Sequence, residues 1–252
     1  GTSPTYAALV RAGCFHLVDG FSTTRFWDQV REGSCVTTSG LIGVMSAFLA
    51  KAEPRPDDAD NPLRCLTLFP VNEDTARMAR RFGFDYLTGF NMTEVSTPLV
   101  TDVNTTVFGS CGRPRSGVEV RLVDEHDVEV SRGDVGEMIV RSRVPWDMNA
   151  GYNGQPEATA AAWRNGWFHT GDLFRQDAEG HFFFVDRRKD TIRRRGENIS
   201  SFEVENAVRQ HPDVDEVVAV GVQSEIAEQE VLVAVTAKPG RTLDPRGLVE
   251  FL

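Results

Sequence analysis

Tyr86-Leu87-Thr88-Gly89-Phe90-Asn91-Met92-Thr93-Glu94 sets an aromatic ring, a hydroxyl and a carboxylate within one short run. Such a group can stack a base, hydrogen-bond a phosphate and hold a hard cation. Gly166-Trp167-Phe168-His169-Thr170-Gly171-Asp172 places a second carboxylate after a tight turn, where its oxygens can accept from two ribose hydroxyls. Asp186-Arg187-Arg188-Lys189-Asp190 adds an arginine fork, and Arg193-Arg194-Arg195-Gly196-Glu197-Asn198 a glycine loop amid positive charge. Together these stretches suit a nucleotide. Six of the nine residues 187–195 are Arg or Lys, in a chain whose 27 basic and 37 acidic residues leave a net charge of −10. The positive charge is therefore local, and wholesale binding of nucleic acid or anionic lipid is excluded.

Other chemistries find less support. None of the histidines (His16, His126, His169, His181, His211) has a metal-ligand spacing, and no G-x-S-x-G elbow marks a serine hydrolase. Cys14, Cys35, Cys65 and Cys111 form no C-x-x-C pair, which fits free thiols in a reducing cytoplasm. Gly109-Ser110-Cys111-Gly112 reads as a turn before it reads as a phosphate cradle. The N-terminus lacks a signal-peptide pattern, and the most continuous apolar run, Leu41 to Ala50, is ten residues, too short to span a bilayer.

The elements that must position these groups alternate in type. With 40% hydrophobic residues the 252-residue chain can bury one large core or two smaller ones. The pattern predicts a strand at Phe15–Val18, a helix from Phe26, a solvent loop over Glu53–Pro62, and a helix capped by Asn72 with Met78 and Phe82 on one face. A strand follows at Phe84–Leu87. Alternation at Val118–Val123, turn residues Asp124–Asp127 and a strand at Met138–Val140 predict a β-rich subdomain. Pro156 opens a short helix, and His181–Val185 reads as a strand. Ser200 and Glu203 pair as a capping box for a helix with Val204, Ala207 and Val208 on one face. Strands at Val217–Val222 and Val231–Thr236 and a helix from Asp244-Pro245 complete the chain.

From Phe69 to Thr236 these pieces, in this order, resemble the adenylate-forming enzymes, in particular the AMP-binding acyl-coenzyme A synthetases. Gly89–Glu94 is similar to that family's Y-G-x-T-E element. Gly136-Glu137 through Gly151-Tyr152 and Pro156-Glu157-x-Thr159 look like its G-E-L, G-Y and P-E-x-T stretch. Trp167–Asp172, Asp186-Arg187, Ile192–Ile199 and Glu203-Val204-Glu205 resemble its long hinge-crossing signature. Phe182–Arg188 is similar to carnitine or crotonobetaine coenzyme A ligases and to fatty acid ligases.

The resemblance implies an α/β (mixed α+β) fold. Residues 1–186 would be the C-terminal portion of a large AMP-binding domain, with a β-rich subdomain at about 105–185. Residues 187–252 would begin a small mobile α+β domain. Phe90 would stack on adenine, Thr93 bond the AMP phosphate and Glu94 hold Mg²⁺. Asp172 and Arg187 would bind the ribose, Lys189 would be the hinge, Arg193 would serve thioester formation, and Gly196 would lie by the pantetheine tunnel. The implied cofactors are ATP/AMP, Mg²⁺ and coenzyme A, and the substrate a small carboxylic acid. A cytoplasmic enzyme without nucleic-acid partner or membrane span is expected, and a homodimer is compatible with it. The alternatives are an adenylation domain of another adenylate-forming enzyme, a non-catalytic nucleotide-binding fragment, or an acidic structural partner. Phe90 and Asn91 replace the family's Tyr and Gly, the latter an exchange that a left-handed backbone tolerates, and Phe69-Pro70-Val71 stands where an adenine wall is expected. The family's upstream glycine-rich phosphate loop and its C-terminal lysine have no counterparts here. The sequence thus reads as part of a longer enzyme, with adenylation by these residues alone impaired.

Overall fold

A computed structural model describes residues 2–38, 40–144, 146–188, 190–194, 197–223 and 229–251. They form two units, 1–116 and 117–252.

In the first unit the order is α1 (Thr2–Val10), α2 (Phe26–Glu32), β1 (Leu41–Ile42), α3 (Gly43–Lys51), β2 (Cys65–Phe69), α4 (Glu73–Phe82), β3 (Asp85–Leu87), β4 (Gly89–Met92), β5 (Ser96–Val100) and β6 (Arg113–Pro114). β1, β2 and β3 make a parallel sheet in that order. Helix α4 forms as expected: the Asn72 side chain accepts from the Thr75 N–H, the Thr75 hydroxyl accepts from the Asn72 N–H, and Gly83 closes the helix in left-handed conformation. Its apolar face buries Ala76, Met78, Ala79 and Phe82 in a core with Leu49, Leu66 and Leu68, and Trp27 of α2 stacks on Phe82 with ring centroids 3.8 Å apart. Arg81 staples this helix to the preceding loop, donating to Asp58 Oδ2 at 2.6 Å and to the carbonyls of Ala50, Ala52 and Glu53.

The strand expected at Phe15–Val18 does not form. Residues 13–18 are irregular, and Phe15, Leu17 and Val18 are exposed. An apolar tetrapeptide becomes a strand only where a neighbour takes its backbone hydrogen bonds. β4, β5 and β6 form a separate antiparallel sheet. Asn91 lies in β4 and donates from Nδ2 to Thr97 Oγ1 at 2.9 Å, and its backbone is extended, so the exchange for glycine meets no left-handed geometry here. Gly109 lies in a turn with Phe108, and the chain runs from it through Gly112 into β6. Gly112 has φ +91° with Val100 backbone atoms 2.1 Å from where a Cβ would stand, so only glycine fits that close approach.

The second unit runs β7 (Val118–Val123), β8 (Val135–Ser142), α5 (Pro156–Ala162), β9 (Trp163–Arg164), β10 (Trp167–Gln176), β11 (Phe182–Arg187), β12 (Ile192–Arg194), β13 (Glu197–Ile199), α6 (Ser201–Arg209), β14 (Val214–Gln223), β15 (Gln229–Ala237) and α7 (Pro245–Phe251). An antiparallel sheet in the order β11-β10-β8-β7, with β9 on β10, forms the expected β-rich part. The β12–β13 hairpin and α6 follow, and then β14 and β15, which share a small core with α6 and α7 built on Val208, Val214, Val217 and Leu248. Ser200 caps α6 by accepting from the Glu203 N–H at 3.1 Å, the half of the expected capping box on the serine side. The expected domain boundary at 186/187 falls inside this second unit. Among the described residues no helix is long and apolar enough to cross a membrane.

Candidate nucleotide site

All four sequence stretches reach into strands, and for the first two the strand geometry explains how their residues are presented. In the first unit, β4 and β5 form a hairpin whose turn carries Thr93 and Glu94, with Phe90 on β4 paired to Leu99. Gly89 is required at its start, because a Cβ there would stand 2.4 Å from the Leu99 carbonyl oxygen. The buried Val95 pins the turn, leaving Thr93 exposed and Phe90 and Glu94 half-buried. Stacking face, hydroxyl and carboxylate thus share one hairpin.

In the second unit, Asp172 sits where β10 departs from its ladder with β8. Pairing runs through Phe168↔Val140 and His169↔Ile139 and resumes at Leu173↔Glu137. Three residues of β10 lie between these anchors against one of β8, Met138. Thr170–Asp172 is therefore thrown out of the ladder, with Gly171 at φ +71°. The Thr170 hydroxyl secures the bulge, donating to the Met138 carbonyl at 2.7 Å and accepting from the Asp172 N–H at 3.1 Å. Asp172 is the cross-strand partner of Arg187 on β11, with Arg187 Nε 3.9 Å from its Oδ1. The carboxylate is mostly buried and the guanidinium mostly exposed. An acceptor-only carboxylate beside a five-donor guanidinium is suited to a ligand that presents hydroxyls and carries negative charge.

A buried polar cluster backs this bulge. Glu137 of β8 is 5% exposed. Its Oε1 accepts from the Gly171 N–H at 3.0 Å and its Oε2 from Arg188 Nη1 at 2.8 Å. Arg164 Nη2 lies 2.8 Å from His169 Nδ1 and 3.3 Å from Asp127 Oδ1. His169 Nδ1 also lies 3.4 Å from Glu137 Oε2. Burial pushes the Asp127 carboxyl up, but the Arg164 hydrogen bond, the nearby His169 and the Asn165 amide outweigh it and hold the group below the usual carboxylate range. Sequence reasoning found no role for Glu137 beyond a motif letter. The signal was a lone carboxylate inside the apolar run Gly136–Val140.

The remaining sequence-derived residues divide. Arg193 is on β12, in a hairpin whose Arg194 donates to Glu230 Oε2 of β15 at 2.6 Å. Lys189 and Gly196 lie outside the described residues. Among the described residues no group of three or more His, Cys, Asp and Glu could hold a metal ion by itself. A single carboxylate such as Glu94 fits Mg²⁺ held jointly with nucleotide phosphates and water, which is how that ion is usually bound.

The family model described as AMP-binding enzyme matches residues 1–152, and that of the AMP-binding enzyme C-terminal domain matches residues 203–252. The crotonobetaine/carnitine-CoA ligase of Citrobacter koseri is 33% identical over 251 residues, covering 97% of this chain and 48% of that protein. Its counterpart in Salmonella arizonae is 32% identical over the same span. The chain thus spans about half the length of the curated relatives it matches. Among solved structures, the O-succinylbenzoate coenzyme A synthetase of Bacillus subtilis in complex with AMP superposes with a TM-score of 0.85 at 23% identity, over all of this chain and 51% of that one, which shows the shared fold. The same enzyme has been solved with ATP and magnesium ion. An amide bond synthetase of Marinactinospora thermotolerans gives a TM-score of 0.76 at 26% identity over 93% of this chain and 49% of that one. The family models, together with a fold that presents the expected motifs, establish that this chain belongs to the AMP-binding enzyme family.

Proposed function

We propose that the protein carrying this chain is an AMP-forming acid–thiol ligase. A substrate carboxylate attacks the α-phosphate of ATP, giving an acyl-adenylate and releasing pyrophosphate. The thiol of coenzyme A then attacks the acyl carbon, forming the thioester and releasing AMP. The observation that carries this reading is the pairing of Asp172 with Arg187 across β10 and β11, two residues 15 apart in sequence to which the family resemblance gives the ribose. In this assignment Asp172 accepts from the ribose hydroxyls, Arg187 donates to the same sugar, Phe90 stacks on adenine, and Thr93 donates to the α-phosphate. Glu94 shares Mg²⁺ with the phosphates, and the ion neutralises charge as two anions meet. Lys189 is assigned as the hinge, Arg193 as the basic residue of the thioester-forming state, and Gly196 as a lining of the pantetheine path. The small domain then starts at 187 and turns between the two half-reactions.

The relatives' names favour a small carboxylic acid in the carnitine or crotonobetaine class, with fatty acids, named by a fatty acyl CoA synthetase structure of the same fold, as the neighbouring class. The four cysteines form no disulfide, which agrees with a cytoplasmic enzyme. The test is pyrophosphate release by the protein carrying this chain, with ATP, Mg²⁺ and a panel of carboxylic acids of graded length and charge, followed by coenzyme A-dependent release of AMP. Acid-dependent pyrophosphate followed by thioester supports the reading. Tight AMP binding without pyrophosphate release for any acid points instead to a non-catalytic nucleotide-binding protein.

A further inference from the structure

Glu137 stands in a run, Gly136 to Val140, that is buried throughout. A carboxylate placed there is costly unless its charge and lone pairs are met. Both oxygens are met, Oε1 by the Asp172 bulge and Oε2 by Arg188, just past β11, with His169 Nδ1 at 3.4 Å and Arg164 Nη2 at 4.0 Å from the same oxygen. When β10 leaves the ladder at Thr170, the Gly171 N–H has no strand carbonyl to meet it, and Glu137 Oε1 supplies the acceptor at 3.0 Å. The other oxygen takes Arg188 Nη1 at 2.8 Å, while the Arg188 N–H donates to the Gly171 carbonyl at 2.8 Å. Gly171 is therefore held on one side by the Glu137 carboxylate and on the other by the Arg188 backbone, and Arg188 is itself bound to Glu137. The residues next to these anchors, Asp172 and Arg187, are the pair that faces the proposed ligand.

We propose that Glu137 is a positioning residue for ribose recognition. It fixes the bulge so that the Asp172 backbone keeps its place beside the sugar, and it holds Arg188 so that Arg187 stays at the same sugar. The proposal rests on the assignment of Asp172 and Arg187 to the ribose. Glu137 touches no ligand atom and acts only through its neighbours, so its effect should appear only with ligands that carry the hydroxyls Asp172 reads.

The experiment is equilibrium binding of AMP and of 2′,3′-dideoxy-AMP to the full protein carrying this chain, as wild type, Glu137→Gln and Glu137→Ala, with the folded fraction of each followed by circular dichroism. Glu137→Gln keeps an acceptor for Gly171 and the side-chain volume but loses the charge that holds Arg188, so it guards against simple unfolding. The wild-type protein should prefer AMP over the dideoxy analogue. Glu137→Ala should weaken AMP by about 10- to 100-fold, the value of losing well-aimed hydrogen bonds to a charged group, and Glu137→Gln by a smaller factor. Both variants should bind the dideoxy analogue within about twofold of wild type, since the shared phosphate and adenine contacts are untouched. A parallel loss for both nucleotides, or no loss for AMP in either variant, overturns the positioning role. A wild-type protein that binds the two nucleotides equally, or neither of them, overturns the ribose assignment itself and the proposal with it.

Discussion

Asp186 offers the sharpest quantitative test of how the second unit is held together. The residue ends the buried part of β11 with a carboxylate that is 3% exposed. Its Oδ2 accepts from the Ser201 N–H at 2.7 Å and from the Ser201 hydroxyl at 3.2 Å, and its Oδ1 accepts from the Arg187 N–H at 2.7 Å. Ser201 opens α6, so the carboxylate also meets the positive end of that helix. Asp186→Ala strands two amide donors in a site with little access to water. At about 1–3 kcal/mol for each buried group left unpaired, and with the helix still capped through Ser200, the expected loss is about 3 kcal/mol. Asp186→Asn keeps one acceptor oxygen and should lose about 1 kcal/mol. Urea unfolding measures the total, and amide hydrogen exchange locates it. If opening of α6 becomes easier by that amount, protection over Ser201–Arg209 falls by about a hundredfold, while the β7–β8 ladder changes less. Adding Ser201→Ala to Asp186→Ala should cost almost nothing further, because the partner is already gone. An Asp186→Ala protein within about 0.5 kcal/mol of wild type and with unaltered exchange in α6 would refute the reasoning.

Three further outcomes are expected. Asp172→Asn should weaken AMP binding by about tenfold or more through loss of a charge-assisted acceptor, yet shift unfolding by less than about 1 kcal/mol, because the facing Arg187 is largely exposed; calorimetry and thermal melts separate the two effects. Burial pushes the Asp58 carboxyl up, but its hydrogen bonds from Arg81 and the Arg55 amide and both guanidinium charges bring it below its ordinary value of 3.8. Its stabilisation is therefore complete above that ordinary value and is lost as pH falls through the lower folded one, so the stability gap between wild type and Asp58→Asn should be constant above about pH 5 and close below about pH 4 in urea titrations. Gly112→Ala should destabilise by about 3 kcal/mol, as strain at positive φ adds to a clash with the Val100 backbone; a thermal melt within a degree of wild type would contradict the close approach.

Local rules carried most of the elements. Asn72 with Met78 and Phe82 marked α4, Pro156 marked α5, Ser200 marked α6, and alternation marked β7, because each depends on residues within a few positions of one another. Phe15–Val18 had strand composition but no partner strand, and a partner is a property of the fold, not of four residues. In the site, Asp172 and Arg187 stood out as charges within Gly- and Arg-rich motifs, while their pairing across β10 and β11 is set by strand register and was not readable from either motif. Glu137 did not stand out, since its meaning lies in Gly171 and Arg188, 34 and 51 residues away. Arg81 escaped notice for the same reason: on the sequence it is one of many helix-end cations, and only the loop 31 to 23 residues earlier turns it into a staple.

The excursion of β10 also constrains how this strand can evolve. The numbers of paired residues sum to 308 before Thr170 and to 310 after Asp172, so the strand gains two positions over its neighbour. Because side chains alternate sides, an even gain preserves parity, and Phe168 and Phe174 both remain fully enclosed. Lengthening or shortening the excursion by a single residue would turn Phe174 out to water and Arg175 inward. Natural variation in its length should therefore come in steps of two, whatever ligand the family member takes.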